Sequence, residues 1–342
     1  MGFQISVCAM RRRSGSSAAS ILLLSLAAQA TPAPAQSNLC IQPGLFHSLT
    51  EPPCSYCSTQ NRKGLIQNND TVVAWIRGVH NGGAVPLRHF LAAPRVINDT
   101  YGLFFYDPDG GYVSAFTRDK GYELYGWRSG VMVVKGPDGT LWSALAGRGL
   151  EGPKKSQRLQ RLPSFMTEWG YWLMLHPEST AYDLFDGKKY SLAELPSGLS
   201  REAKSTIGNV DARLQPDVLV LGVESGSLAK AYPLDASSER ACYTDQLGEL
   251  GVAVFWYKAT KSGTAFSSKV NSRTLTFYAD SGSPETAPFK DRETGTRWTL
   301  AGRAVDGPLK GQELEWVNSI QCKWYAWAAE FPETMIYAPP AK

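Results

Sequence analysis

The sequence lacks the motifs by which several common enzyme classes are identified. It contains no G-x-S-x-G, P-loop, H-E-x-x-H or dinucleotide-binding fingerprint, so hydrolase, NTPase, zinc-protease and Rossmann functions have no support from motifs. Its four histidines, at positions 47, 80, 89 and 176, do not have the spacing of metal ligands. The sequence alone therefore assigns no catalytic residue and leaves open whether the protein is an enzyme.

Charge is also scarce, since charged residues make up only 19% of the 342 residues. Residues 1–35 contain three arginines and no acidic residue, so without them the formal net charge falls from +4 to +1. A chain so close to neutral is not expected to bind nucleic acid through its charge. Aromatic residues are plentiful at 11%, with 10 Trp and 15 Tyr, which favours a strand-rich fold.

Long apolar runs are absent as well. The apolar stretch Ile21–Ala28 follows Arg11–Arg13 and precedes small residues that end at Ala35, which is the pattern of a secretory signal. It is far shorter than the roughly 20 residues that span a bilayer, and no later run is longer, so no transmembrane span is expected. The sequence therefore predicts export of residues 36 onward to the periplasm or the cell exterior.

The most informative feature that is present is an internal repeat. From Ala146 onward, residues 138–180 match residues 291–334 at a constant offset of 155, which pairs Trp169 with Trp324 and Trp172 with Trp327. Each copy combines glycine turns, short strands and a helix that a proline ends. We expect helices over 165–176 and 320–331 whose tryptophans lie in the core; the alternative is a stacking platform for a sugar or a base.

These patterns predict a mainly β fold, a β-rich α+β protein of two tandem divergent copies, each an antiparallel sheet with a C-terminal tryptophan-containing helix. The expected order is a signal, a leader with cysteines and prolines, a first domain, a connection that contains a short helix near 200–206, and a second domain. The predicted bounds of these five parts are 1–35, 36–70, 71–181, 182–216 and 217–338.

The second copy resembles a family, the bacterial domain of unknown function 3179. The resembling segments are 231–234 (AYPL), 244–248 (TDQLG), 291–298 (DRETGTRW), the turn at 307–311 and the helix of Trp324. They cover nearly all of 218–337, and 85–180 resembles a more divergent copy.

Two features of that family are missing from both copies. The His of the family falls on Arg240 and Pro94, and its Cys-Pro-Leu stretch falls on the segments that begin at Tyr257 and Tyr106. A Cys and His pair is suited to a soft metal or to thiol chemistry. The resemblance therefore implies that whatever this pair does elsewhere is absent here.

Six residues are candidates for binding. Arg88 and His89 share one stretch that also contains His80, while Asp99 and Asp245 stand at matching turn positions of the two copies. Arg240 and Tyr257 occupy the departures from the family pattern. No motif brings these six together.

Five cysteines follow the predicted signal. Cys54 and Cys57 form a C-x-x-C pair, which predicts either a structural disulfide, for example with Cys40, or a redox or soft-metal site. Cys242 and Cys322 belong to the second copy alone and are a possible disulfide.

The leading functional expectation is an exported binding or structural module of the cell envelope, with an unknown envelope or extracellular ligand. A thiol-redox or soft-metal-handling protein that uses the C-x-x-C pair is one alternative. A glycan-binding protein is another, because aromatic richness combines with export.

Overall fold

The computed structural model describes residues 39–41, 48–56, 65–77, 81–87, 93–117, 119–183, 199–234 and 239–338. Strands predominate over helices in this part of the chain, which confirms the predicted mainly β fold. None of the helices in the same residues is long and apolar enough to cross a membrane.

The strands of the first half lie between residues 39 and 182. They are β1 (Leu39–Ile41), β2 (Leu49–Thr50), β3 (Cys54–Tyr56), β4 (Thr71–Arg77), β5 (Asn81–Pro86), β6 (Arg95–Asp99), β7 (Gly102–Asp107), β8 (Tyr112–Phe116), β9 (Glu123–Arg128), β10 (Val131–Lys135), β11 (Leu141–Ser143), β12 (Gly149–Glu151), β13 (Ser164–Glu168) and β14 (Thr180–Tyr182).

The strands of the second half follow a similar sequence. They are β15 (Leu219–Ser225), β16 (Leu228–Pro233), β17 (Arg240–Leu247), β18 (Leu250–Tyr257), β19 (Ser262–Ser267), β20 (Lys269–Val270), β21 (Arg273–Thr274), β22 (Phe277–Ala279), β23 (Phe289–Asp291), β24 (Arg297–Trp298), β25 (Ser319–Lys323) and β26 (Met335–Ile336). The helices of the described residues are α1 (Trp169–Leu175), α2 (Arg201–Thr206), α3 (Trp324–Glu330) and a 3₁₀ turn (Lys258–Thr260).

The two halves repeat one strand order. A sheet β13-β4-β5-β14-β3 in the first half corresponds to β25-β15-β16-β26 in the second, and β2-β6-β7-β8 corresponds to β17-β18-β19. The remaining sheets are β1-β9-β10-β11-β12, β22-β23-β24 and the pair β20-β21. The leader strands β1, β2 and β3 extend the three sheets of the first half, so the leader belongs to the folded protein.

The register of the matching sheets fixes which residues are equivalent. Ser164 lies opposite Trp75, and Ser319 lies opposite Val223. Because 164 and 319 differ by the repeat offset of 155, Trp75 is equivalent to Val223 and the next residue, Ile76, is equivalent to Glu224.

Helices α1 and α3 start later than the sequence pattern predicts. Residues 164–168 and 319–323 are strands, because they pair antiparallel with β4 and β15 along their whole length. The helices occupy the following seven residues and end at Leu175 and Glu330, so that one capping residue, His176 or Phe331, separates each from Pro177 or Pro332. The predicted helix near residue 200 is present as α2, and the Ser200 hydroxyl accepts a hydrogen bond from the Ala203 N–H at 3.1 Å.

The four helix tryptophans, at 169, 172, 324 and 327, are all 0% exposed, which confirms that they are core residues. Trp327 lies directly over Gly222 of β15: a Cβ at that glycine would be 2.2 Å from the indole ring. Removing one of these rings leaves a large cavity, so each substitution is expected to cost several kcal/mol.

Each helix packs against the other half of the chain. Trp169 and Trp172 belong to a buried cluster with Phe255, Phe266 and Trp298 of the second half. The tryptophans of α3 belong to a cluster with Tyr112, Val131 and Leu145 of the first half. The two copies therefore share their cores, and the domain bounds given above stay a prediction.

The suggested disulfide between Cys242 and Cys322 is wrong, because both cysteines are free thiols and they pack in different core clusters. Cys322 is buried in the α3 cluster, whereas Cys242 packs beside the α1 cluster. Burial in apolar surroundings raises the pKa of both thiols, so they behave as small apolar side chains. Cys40 lies in β1 and Cys54 in β3, while Cys57 lies outside the described residues, so the C-x-x-C pair stays a prediction.

Candidate functional site

Most of the residues predicted to bind serve the structure of the turns. Asp99, 3% exposed, accepts hydrogen bonds from the Tyr182 hydroxyl and from the Thr100 N–H, and burial raises its pKa despite these bonds. Asp245 accepts from the Tyr232 hydroxyl at 2.9 Å and lies 2.5 Å from the Lys230 ammonium. Burial alone would raise the pKa of Asp245, but the bond from Lys230 and its other hydrogen bonds outweigh burial and lower it.

Arg240 and Tyr257 do meet, at the start of β17 and the end of β18. The guanidinium lies 5.6 Å from the centre of the Tyr257 ring, and its Nη1 donates to the carbonyls of Asp280 and Ser283 at 3.0 Å each. These bonds hold the 280–283 turn against the sheet, so the guanidinium already has hydrogen-bond partners within the protein. Arg88 and His89 lie outside the described residues.

No group of three or more His, Cys, Asp or Glu side chains that could hold a metal ion occurs in the described part of the chain. Two hollows, of about 440 and 390 Å³, lie beside the last turn of α3. The arginines of the smaller one are paired, Arg148 with Glu330 at 3.3 Å and Arg128 with Glu151 at 3.5 Å. These pairs leave little there for a ligand to recognise.

A third cleft, of about 250 Å³, lies between the two halves and is lined by aromatic rings. The first half contributes β4, β13 and α1, and the second contributes β19 and the segment 301–316. Its floor consists of buried rings, and its walls include three groups that are only partly buried: Ser164, His176 and Trp316. The full lining is Ala74, Trp75, Ile76, Pro163, Ser164, Phe165, Trp172, His176, Phe266, Ala301, Leu314 and Trp316.

His176 reaches this cleft because it follows α1 directly. Its ring lies 4.2 Å from the Trp172 ring at 40°, and the equivalent Phe331 lies 4.2 Å from Trp327 at 34°. Burial, with a smaller effect from the positive charge of Arg303, lowers the pKa of His176 to about 4. The imidazole is therefore uncharged at neutral pH, and it is the only ionisable side chain of the lining among the described residues.

Trp316 is the wall opposite the sheet. A backbone bridge pairs it with Phe266, whose ring centre is 5.9 Å away and nearly perpendicular at 85°. The side-chain polar atoms of Ser164, His176 and Trp316 form no hydrogen bond with the described residues, although the His176 carbonyl accepts one from the Ser179 hydroxyl. The cleft thus has a floor of buried rings, and its walls include two partly exposed aromatic side chains with hydrogen-bonding groups, His176 and Trp316.

The equivalent position in the other half is occupied by an ion pair. Arg161, the equivalent of Trp316, has the matching bridge to Phe116, and its guanidinium lies 5.1 Å from that ring centre. Its Nη2 donates to the Leu145 carbonyl at 2.6 Å and to the Glu224 carboxylate at 3.3 Å. Arg158 donates to the other carboxylate oxygen at 2.5 Å.

The two halves thus differ sharply at one matched pair of positions. Arg161 and Glu224 stand in one half, where Trp316 and Ile76 stand in the other. The ion pair bridges the halves, whereas Trp316 and Ile76 border an open cleft in which Ile76 is 39% exposed. The two copies therefore keep the same core residues but present different side chains at this pair of positions, charged in one half and apolar in the other.

Sequence reasoning missed this cleft, although part of its signal is in the sequence. The repeat offset aligns Arg161 with Trp316 directly, but the exchange of Glu224 for Ile76 becomes evident only once the strand register is known. The spacing predicts a helix through Trp172 and His176, of which Trp172 lies in α1 and His176 caps it, but the pattern does not show that the segment 301–316 lies beside them.

Searches of curated proteins and of solved structures gave no significant match. A family model, described as "Protein of unknown function (DUF3179)", matches residues 128–334, which is more than half of the chain. The matched segment runs from the end of β9 through the second copy as far as residue 334, just before β26, and includes both tryptophan helices and every lining residue of the cleft except those of β4. The chain belongs to the DUF3179 family.

Proposed function

We propose that this protein is an exported binding module and that its ligand site is the aromatic cleft between the two halves. The N-terminal pattern of residues 1–35 supports export. The observation that carries the binding proposal is the exchange of an ion pair for an open aromatic cleft at equivalent positions. A ligand pocket is expected to be concave, mostly apolar and supplied with a few polar groups, and the cleft has each of these properties.

The chemistry of the lining restricts the ligand. With the His176 imidazole neutral, none of the described side chains that line the cleft carries a charge, and Arg303, whose charge acts on His176, lies outside the lining. Burying an unpaired charge in such a place is costly, so the bound group is uncharged. The cleft volume of about 250 Å³ suits one ring-sized group of a ligand, with the remainder extending over the exposed side chains at the rim.

A variant that closes the cleft tests this proposal with a design taken from the chain itself. Ile76→Glu combined with Trp316→Arg reproduces the Glu224 and Arg161 pair of the other half. A control, Leu228→Glu with Met335→Arg, makes the same change of charge at two exposed apolar residues, 40% and 42% exposed, elsewhere on the surface.

The purified wild-type chain would be screened by thermal shift against a panel of neutral oligosaccharides, uncharged aromatic compounds and organic acids, and hits quantified by titration calorimetry. We expect uncharged hits that the control variant binds as the wild type does and that the closed variant no longer binds. Equal binding by the closed variant, or hits confined to charged compounds, would contradict the proposal.

A further inference from the structure

The leader strands β2 and β3 cover two sheet edges in the first half whose equivalents in the second half have no such cover. β2 pairs with β6 and β3 pairs with β14, so β6 and β14 become inner strands of their sheets. The equivalent strands β17 and β26 are the outermost strands of their sheets in the described part of the chain. The protein therefore has one leader for two equivalent pairs of edges.

Side-chain exposure follows this difference between the halves. In β6, Ile97 and Asn98 are 1% and 2% exposed, whereas their equivalents in β17, Tyr243 and Thr244, are partly buried and exposed. All three residues of β14 are buried, whereas Met335, at the start of β26, is 42% exposed. The edges of the second half are therefore accessible to a further strand.

Backbone hydrogen-bonding groups along these edges point outward. The Asn98 carbonyl accepts a hydrogen bond from the Glu51 N–H of the leader at 2.9 Å. The equivalent Thr244 carbonyl also points away from β18, because alternate residues of an antiparallel strand bond to opposite neighbours. In β26 the Tyr337 N–H donates to β16 at 2.8 Å, so the amide of the preceding Ile336 points away from β16. Such a row of outward groups is a template for strand addition.

The two edges meet, so one extended segment can reach both. In the first half the leader runs from β6 to β14 within residues 49–56. In the second half the rings of Tyr243 and Tyr337, one from each edge, lie 4.9 Å apart. A segment of similar length therefore fits the second half.

The side chains along the edges restrict the chemistry of that segment. The exposed side chains of β17 are Thr244 and Gln246, and that of β26 is Met335, so none of them carries a charge. Lys230, which lies beside Met335 in the sheet, is paired with Asp245 at 2.5 Å. A charged residue of the segment would find no counter-charge here, so the segment is apolar or uncharged at the pairing positions.

We propose that β17 and β26 together bind an extended, uncharged segment of another protein, which adds a strand to each sheet as the leader does in the first half. The described residues of this chain do not supply the segment. The leader lies on the first half, and the connection ends elsewhere, where the Pro216 carbonyl accepts from the Tyr325 N–H of α3 at 3.0 Å. The surface is separate from the cleft and does not depend on the function proposed for it.

Peptides selected on the full chain from a phage-displayed library of random dodecapeptides test this proposal. The selected peptides would be synthesised with a single N-methyl group at each position in turn, and their affinities measured by titration calorimetry. We expect affinity to fall about fivefold or more at every second position and little at the positions between, because only alternate amides of an added strand face the edge. Selection of no peptide, or a scan without this alternation, would overturn the proposal.

Proline substitutions locate the peptide on the protein. Ile336→Pro and Thr244→Pro each remove an N–H that points away from the sheet, so the bonds to β16 and β18 remain, and proline is tolerated in edge strands. Each variant is expected to unfold cooperatively like the wild type and to bind the peptides about fivefold or more weakly. The variant with Ile76→Glu and Trp316→Arg, whose changes lie in the cleft, is expected to bind them as the wild type does.

Hydrogen exchange on the wild type gives a measurement that needs no variant. A bound peptide is expected to slow amide exchange in residues 243–247 and 335–338, and unchanged exchange there would overturn the proposal. Peptide binding lost only in the cleft variant would place the peptides in the cleft and would also overturn it. A wild-type dimer in sedimentation that Ile336→Pro abolishes would show that a second copy covers the edge, with the same consequence. None of these failures affects the ligand proposed for the cleft.

Discussion

The His176→Phe substitution tests whether the cleft histidine is held neutral by its surroundings. Phe331 shows that a phenylalanine fits this position, because it packs on Trp327 at the same 4.2 Å that separates His176 from Trp172. The variant therefore keeps the packing and removes the titration. Its stability relative to the wild type is expected to depend on pH.

The size and sign of the effect follow from the pKa of His176, which is about 4 in the folded chain against 6.5 in the ordinary state. The folded state binds fewer protons than the unfolded state between these values, so the histidine destabilises the wild type as the pH falls from 6.5 to 4. The ceiling is about 3 kcal/mol, at about 1.4 kcal/mol for each pKa unit. Because the ring is partly exposed to solvent, we expect about 1–2 kcal/mol.

Asp107 changes the stability of the protein with pH in the opposite direction. Burial, together with the nearby charge of Asp109, raises the pKa of Asp107 from 3.8 to about 7. The folded state therefore binds more protons over this range, and stability falls as the pH rises through it. In the wild type the effects of His176 and Asp107 on stability oppose each other between about pH 4 and 6.5, and His176→Phe removes that of His176 while leaving that of Asp107 in place.

Urea unfolding at pH 4, 5, 6, 7 and 8 measures the difference in free energy of unfolding between His176→Phe and the wild type. The difference should move in favour of the variant by about 1–2 kcal/mol from pH 7 to pH 4. The reverse exchange, Phe331→His, should make the variant lose stability relative to the wild type as the pH falls, which is the opposite of what we expect for His176→Phe. Parallel pH profiles for wild type and His176→Phe would show that the imidazole is not held neutral and would refute the reasoning.

Three further predictions concern stability. Trp324→Ala removes a fully buried ring and is expected to lower the free energy of unfolding by about 3–5 kcal/mol in urea unfolding, and a loss below about 1 kcal/mol would contradict its place in the core. Replacing Glu224 with Gln leaves the buried Arg161 without its counter-charge, so we expect the free energy of unfolding to fall by about 2–4 kcal/mol. High salt should not produce the same loss in the wild type, and an unchanged melting temperature of the variant would count against a bridging role. Replacing Cys54 and Cys57 with Ser should cost at most a few kcal/mol and leave the fold intact by circular dichroism, because β3 is also held by its pairing with β14; loss of a measured activity in the folded variant would instead support the thiol alternative.

The repeat and the core tryptophans were predictable because they depend on local patterns. A fixed offset, glycine turns and apolar spacing are visible within one copy, and they correctly place Trp169 and Trp324 in buried helices. The helix starts were wrong by a few residues, because Phe165 and Ile320 fit a helical spacing equally well and only their pairing with distant strands decides for a strand.

The features that carry the functional proposal depend on contacts across the chain. The cleft forms where Trp316 of one copy faces β4 of the other, and no spacing within either segment encodes that meeting. The candidate residues chosen at the turns, such as Asp99 and Asp245, are conspicuous in sequence because turns need short polar side chains, and the structure uses them for that purpose.

The crossed packing of the helices has a consequence for how the two halves came to differ at the matched positions of Arg161 and Trp316. A lone copy would expose the helix tryptophans that here lie in the core of the other copy, so it would need a second, identical chain to cover them. In a dimer of that kind both equivalent positions carry the same residues. One position therefore could not hold an ion pair like that of Arg161 and Glu224 while the other borders an open aromatic cleft. Joining the copies in one chain removes this constraint, because each side is then free to change alone.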